Sequence, residues 1–176
     1  MRIVKTKFQG LKIIKGLSHY DKRGCFRETF KNKFFPKKNF IFWCMSKSRK
    51  NVIRGLHMQK KIQQDKFISV VKGRIFDVVL DLRKKSRTYG RHFSITLSDK
   101  NSKSLFIPAG FAHGFCGLEK ENIVFYGCTN YRSKRNEMGI LWDDKKLKIK
   151  WPVKNPVISK KDKNNKKLSI VTKLLK

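Results

Sequence analysis

Three short segments of this 176-residue chain gather side chains able to move protons. Arg54-Gly55-Leu56-His57-Met58-Gln59 sets a histidine between a guanidinium and an amide, with Lys66 shortly after. Ile107-Pro108-Ala109-Gly110-Phe111-Ala112-His113 places a second histidine just beyond a turn fixed by Pro and Gly. Tyr126-Gly127-Cys128-Thr129-Asn130-Tyr131 spaces two phenols around polar residues. A neutral imidazole, with an ordinary pKa near ~6.5, accepts a proton close to neutrality. Phenol and ammonium groups can also take part in proton transfer. The residue types therefore suit acid–base catalysis, although alone they name no reaction. Any one histidine has an equally ordinary reading as a hydrogen-bonded core residue. Asp162, set in a lysine run, reads by its context as a surface carboxylate.

Other chemistries find less support. Pro108-x-Gly110-x-x-His113 has the spacing of the second half of a cupin metal motif. The first half needs His-x-His followed by Glu, and here His57-x-Gln59 leads to Gln63, Gln64 and Asp65. Without the second histidine and its carboxylate, no metal site is expected. There is no Gly-x-Gly-x-x-Gly, no Walker A loop and no Gly-x-Ser-x-Gly elbow, so no bound nucleotide cofactor is expected. Four scattered cysteines without a CxxC pair suggest reduced thiols and a cytoplasmic location.

The elements that must position these groups read as strands. Helical periodicity is weak, and short apolar runs recur between turns. The expected strands are Leu11–Ile14, Cys25–Phe30, Asn39–Met45, Phe67–Val71, Arg74–Leu82, His92–Leu97, Ser104–Ile107 and Ile123–Cys128. Lys72-Gly73 reads as a hairpin turn between the fourth and fifth. In Arg74–Leu82 the two-residue period puts Ile75, Asp77, Val79 and Asp81 on one face. Phe76, Val78, Leu80 and Leu82 fall on the other, so the strand should be buried on both sides. Two acids on an inward face need partners. Many strands and few helices predict an all-β sandwich or barrel of jelly-roll type. Residues 1–163 form one domain in this reading, and 164–176 a Lys-rich C-terminal tail that is either a short packed element or a frayed end.

Charge sets the remaining limits. Lys and Arg number 44 against 12 acidic residues, a net charge of +32. Such a field attracts anions. Eleven of those 44 are Arg and 33 are Lys, spread along the whole chain with no zinc-finger spacing, RNP motif or basic heptad. This argues for a small anionic substrate over nucleic acid. No run of ~18 apolar residues spans a membrane and no secretory leader is evident.

The same segments, in order, resemble the dTDP-4-dehydrorhamnose 3,5-epimerase family. The matching residues are Asp21-Lys-Arg23-Gly24-x-Phe26-x-Glu28, then Ser46 through Asn51 to Arg54-Gly-Leu-His57-x-Gln59. Lys66, Gly73-x-Ile75-x-Asp77-Val78, Asp81-x-Arg83, Ser86-x-Thr88-x-Gly90 and Pro108 through His113 follow. Tyr126, Tyr131, Gly139-Ile-x-Trp142, Trp151-Pro152 and Ser159-x-Lys161-Asp162 complete the match, over residues 3 to 163. The resemblance implies a cupin-like jelly roll that works as a homodimer, without cofactor or metal, on a sugar nucleotide. It implies inversion at C3 and C5 of a 4-keto-6-deoxy sugar. His57 would be the base, Asp162 its orienting carboxylate, Tyr126 the acid on the opposite face and Lys66 the enolate stabiliser. Arg54, Gln59 and His113 would line the pocket. Arg23, Phe26 and Glu28 would come from the partner subunit by exchange of N-terminal strands. Tyr131 and Glu137 would lie near the nucleotide.

The chain departs from the family at one place. Where the family has Gln-x-Asn, two amides that contact substrate, this chain has Phe42-Trp43-Cys44. That leaves two alternatives: a 3- or 5-epimerase of another nucleotide-linked 4-keto sugar, and a non-enzymatic cupin-like binder of polyanions.

Overall fold

The computed structural model describes residues 1–175. Fourteen strands, β1 (Arg2–Lys5), β2 (Lys12–Lys15), β3 (Ser18–Asp21), β4 (Gly24–Arg27), β5 (Phe42–Arg49), β6 (Val52–Gln59), β7 (Lys66–Lys72), β8 (Arg74–Asp81), β9 (His92–Ser98), β10 (Lys103–Ile107), β11 (Phe111–Gly117), β12 (Glu121–Cys128), β13 (Glu137–Gly139) and β14 (Val157–Ile158), precede two short helices, α1 (Lys160–Lys163) and α2 (Leu168–Leu174). The first sheet has the order β1-β2-β10-β7-β12-β5. The second has the order β13-β6-β11-β8-β9, with β14 beside β6. A separate hairpin joins β3 and β4. This is the jelly roll that the strand pattern predicts.

The layers follow from which residues alternate inward. Between the sheets, Ile68, Val70, Leu105 and Val124 of the first meet Ile75, Val79, Leu97 and Phe115 of the second. The outer face of the second sheet offers Leu56, Met58, Val78, Leu80 and Ala112, and Ile140, Leu147, Leu168 and Val171 cover it. The outer face of the first offers Ile14, Phe67 and Phe106, and Phe35 covers it, backed by Phe30 and Phe40. Strand β8 is buried on both faces, and its two residue sets divide as the two-residue period requires. Residues 164–175 carry α2, whose Leu168 and Val171 are buried in the second sheet's cover.

The structure corrects three sequence expectations. The turn at Lys72-Gly73 is no hairpin, because β7 and β8 belong to different sheets and the turn carries the chain across the sandwich. The strand expected at Asn39–Met45 runs from Phe42 to Arg49. Strands β6 and β11, the two that carry His57 and His113, were absent from the expected set. Both are interrupted by glycine, which weakens strand patterning. The glycines are needed for close approach. A Cβ on Gly55 (φ +114) would lie 2.6 Å from Gly114 Cα and 2.7 Å from the His113 carbonyl oxygen. The β6–β11 register shifts there, between His113 and Phe115. Among the described residues no helix is long and apolar enough to cross a membrane.

Candidate active site

One end of the space between the sheets is hollow, a cavity of about 590 Å³. The second sheet contributes Arg54 and His57 from β6 and His113 from β11. The first contributes Ser46 from β5, Lys66 from β7 and Tyr126 from β12. His57 and His113 are cross-strand partners, so both rings share a face. His57 and Tyr126 therefore stand on opposite walls.

A carboxylate reaches His57 from far along the chain. β14 pairs in parallel with the start of β6, Val157 against Val52 and Ile158 against Ile53. The next residue, Ser159, caps α1 by accepting the Asp162 N–H at 3.1 Å. That single turn drives Asp162 inward. Its Oδ1 lies 2.6 Å from His57 Nε2 and its Oδ2 accepts the Gly55 N–H at 3.3 Å. Burial alone would raise the Asp162 carboxyl; the hydrogen bond and charge of His57, the Gly55 N–H and the Lys161 charge outweigh it and hold the group below the usual carboxylate range. Asp162 is 4% exposed, so the surface reading from its lysine-rich context is overturned. With one ring nitrogen of His57 committed to Asp162, the other is left to accept a proton.

Across the cavity the Tyr126 hydroxyl lies 2.7 Å from Ser46 Oγ. Burial pushes this phenol up, more than the Ser46 hydrogen bond pulls it down, so it stays protonated at neutral pH and can donate. Burial pulls the Lys66 ammonium below its ordinary value, and the Arg132 charge adds to this. On the second sheet, His113 Nε2 of β11 meets Asp77 Oδ2 of β8 at 2.8 Å, a second histidine–carboxylate pair. Asp77 is fully buried and its Oδ1 has no partner among the described residues.

Of the residues singled out in the sequence, His57, Tyr126, Asp162, Lys66, Arg54, Gln59, His113 and Glu137 line this one cavity. Gln59 commits its carbonyl to the Ser133 N–H. Glu137 is held between Arg132 and Lys161. Arg23, Phe26, Glu28 and Tyr131 do not line it. Arg23 pairs with Asp21, and Phe26 stands 68% exposed on the β3–β4 hairpin. Glu28 pairs with Lys31 just beyond that hairpin. Tyr131 lies outside, its ring 5.9 Å from that of Phe42, and its neighbour Arg132 takes the place in the lining. Sequence reasoning missed Ser46, Asp77, Arg132 and Lys161 as site residues. For Asp77 the signal was present, an acid on the inward face of a two-sided strand.

The sequence model described as dTDP-4-dehydrorhamnose 3,5-epimerase matches residues 5–169. A protein of that name from Shigella flexneri is 43% identical over 173 residues, 95% of this chain and 96% of its own length. One from Methanothermobacter thermautotrophicus is also 43% identical, over 174 residues, 95% of this chain and 94% of its own. The solved dTDP-6-deoxy-D-glucose-3,5-epimerase of Legionella pneumophila, crystallised with dTDP-4-keto-L-rhamnose, superposes with a TM-score of 0.94 at 37% identity, covering 99% of this chain and 96% of that one. The match spans the whole fold and every wall of the cavity, and the chain belongs to the dTDP-4-dehydrorhamnose 3,5-epimerase family.

Proposed function

We propose that this protein inverts C3 and C5 of a dTDP-linked 4-keto-6-deoxy sugar by proton removal and return through an enolate. The observation that carries the reading is the cavity's two-walled arrangement: a His57–Asp162 pair on one sheet and a protonated Tyr126 on the other. A hydrogen beside a ketone is acidic because its carbanion delocalises onto the oxygen. His57 takes that proton, and Asp162 fixes the tautomer and stabilises the imidazolium. Lys66 faces the oxygen on which charge develops, and its low-water setting strengthens that attraction. Tyr126 returns a proton from the other face, which inverts the centre. His113, Arg54 and Gln59 hold the sugar, and Glu137 and Tyr131 lie toward the nucleotide.

The active unit in this reading is a cytoplasmic homodimer. Arg23, Phe26 and Glu28 stand away from their own cavity, and the exposed rings of Tyr20 and Phe26 lie on the same hairpin. Exchanged between subunits, that hairpin completes the partner's site. An equimolar mixture of His57→Ala and Arg23→Ala chains, allowed to exchange subunits, should regain activity that neither has alone. A monomeric solution mass at micromolar concentration rejects the exchange.

The function is tested by incubation with dTDP-4-keto-6-deoxyglucose in deuterated water. Deuterium should appear at both C3 and C5 with inverted products. Label at only one centre would assign a mono-epimerase, and no label at either would reject the enzyme reading.

A further inference from the structure

The proposed roles leave two cavity cations unused, Arg132 and Lys161. Arg132 follows Tyr131 in the 129–136 loop, and that loop is pinned on both sides. Asp65 and Thr129 exchange two bonds: the Thr129 N–H donates to the Asp65 carbonyl, and the Asp65 N–H donates to Thr129 Oγ1. Gln64 Nε2 donates to the Asn130 carbonyl at 2.6 Å, and Gln59 Oε1 accepts the Ser133 N–H. Arg132 Nε donates to Glu137 Oε2 at 2.6 Å, and that carboxylate is only 8% exposed. The bond fixes the plane of the guanidinium. Among the described residues neither of its Nη groups donates a hydrogen bond, and the residue lines the cavity.

The local charge balance asks for an anion. Lys161 shares Glu137 with Arg132, and Lys66 stands close enough for Arg132 to bear on it. Arg132 and Lys161 thus share one carboxylate, and Lys66 adds a third positive group on the Arg132 side. A planar fork with two open donors is the geometry that takes phosphate oxygens bidentately. Two amides that the family resemblance would set against substrate are replaced by Phe42 and Cys44, which line the wall and cannot donate as amides do.

We propose that Arg132 is a specificity-determining residue that grips the diphosphate of the nucleotide, so that this protein's affinity rests on phosphate more than on base edges. The inference rests on the sugar-nucleotide reading above. The test is calorimetric binding of dTDP and of thymidine to the wild type, Arg132→Gln and Arg132→Lys. Arg132→Gln should weaken dTDP about tenfold or more and leave thymidine within about twofold, as expected for loss of a charge-assisted pair. Arg132→Lys keeps the charge and the pairing with Glu137 but loses the fork, and it should lose part of the preference for dTDP over thymidine. Retention of the full preference in either variant overturns the inference. An equal loss for both ligands does so too, since it would place Arg132 on the base. A wild type that binds dTDP and labels its substrate while the variants are indifferent defeats this inference alone. A wild type that neither binds dTDP nor exchanges deuterium defeats the function reading with it.

Discussion

The cavity holds two histidine–carboxylate pairs that differ in how their acids are supplied. His113 and Asp77 face each other from adjacent strands β11 and β8, 36 residues apart. Their side chains are 6% and 0% exposed. His57 receives Asp162 from 105 residues away, on a one-turn helix, and keeps 27% of its own side chain accessible. Asp162 is held by a backbone N–H as well as by the imidazole. Asp77 has one partnered oxygen and one bare one. In the proposed mechanism the His57–Asp162 pair is reached by substrate and cycles a proton, whereas the His113–Asp77 pair is shut away and its carboxylate bears on Lys66 and Tyr126. The same two side-chain types become base or background according to solvent access and the number of donors on the acid.

Substitutions that remove one pair at a time test this contrast. The largest effect is expected from His57→Ala, with deuterium incorporation falling about 10²–10⁴-fold while circular dichroism stays native. An equal loss in His113→Ala with His57→Ala near wild type would reverse the assignment. Asp162→Asn should follow at about 10²-fold or more, because an amide can hold the wrong tautomer of His57. Tyr126→Phe should separate removal from return: label exchange persists while the inverted product disappears, as read by NMR of the recovered sugar. Asp77→Asn should cost only about tenfold in kcat/KM by our reckoning from its indirect role, and about 1–3 kcal/mol in urea unfolding if the new amide finds no acceptor. A loss as large as that of Asp162→Asn would make the second pair a base as well.

A third carboxylate sharpens the contrast. Asp81 lies on the same face of β8 as Asp77 and is equally buried, yet it accepts from the Arg83 guanidinium, the Arg83 N–H, Ser86 and Thr88. Burial raises it, but those donors prevail and bring it to about 2. A carboxyl depressed in the folded state stabilises above its unfolded pKa, near ~3.9, and that contribution is lost as pH falls toward the folded value. The shift is worth about 2 kcal/mol. Asp81→Asn should therefore lower stability at neutral pH, with the gap from wild type closing between about pH 4 and pH 2 in urea titrations. Asp77, on the same face, has His113 as its one partner and a second oxygen with none among the described residues.

Much of this was legible in the sequence, and the gaps have physical causes. The two-sided burial of β8 followed from its alternation alone, and the proton-moving segments were visible as residue types. The family resemblance then supplied pairings that spacing does not carry. Asp162 was hidden because a lysine run is read by its average charge, while one capped turn suffices to bury a single member. β6 and β11 were hidden because Gly55 and Gly114 serve the contact between two backbones, and local pattern registers only the missing side chains. The turn at Gly73 was misjudged because period-two alternation says which way a residue points and nothing about which sheet the strand joins. Arg132 went unnoticed beside Tyr131, since a pinned loop decides which of two neighbours faces inward.

The placement of Asp162 has a bearing on how the protein is made. During synthesis β6 emerges long before α1, so His57 lacks its carboxylate until residues 157–162 have left the ribosome and β14 has zipped onto β6. In the proposed mechanism the base therefore matures only when Asp162 docks, and a chain stopped before residue 162 can hold much of the sandwich without the chemistry. Chains truncated at successive lengths should gain exchange activity in one step once Asp162 is present and free to dock.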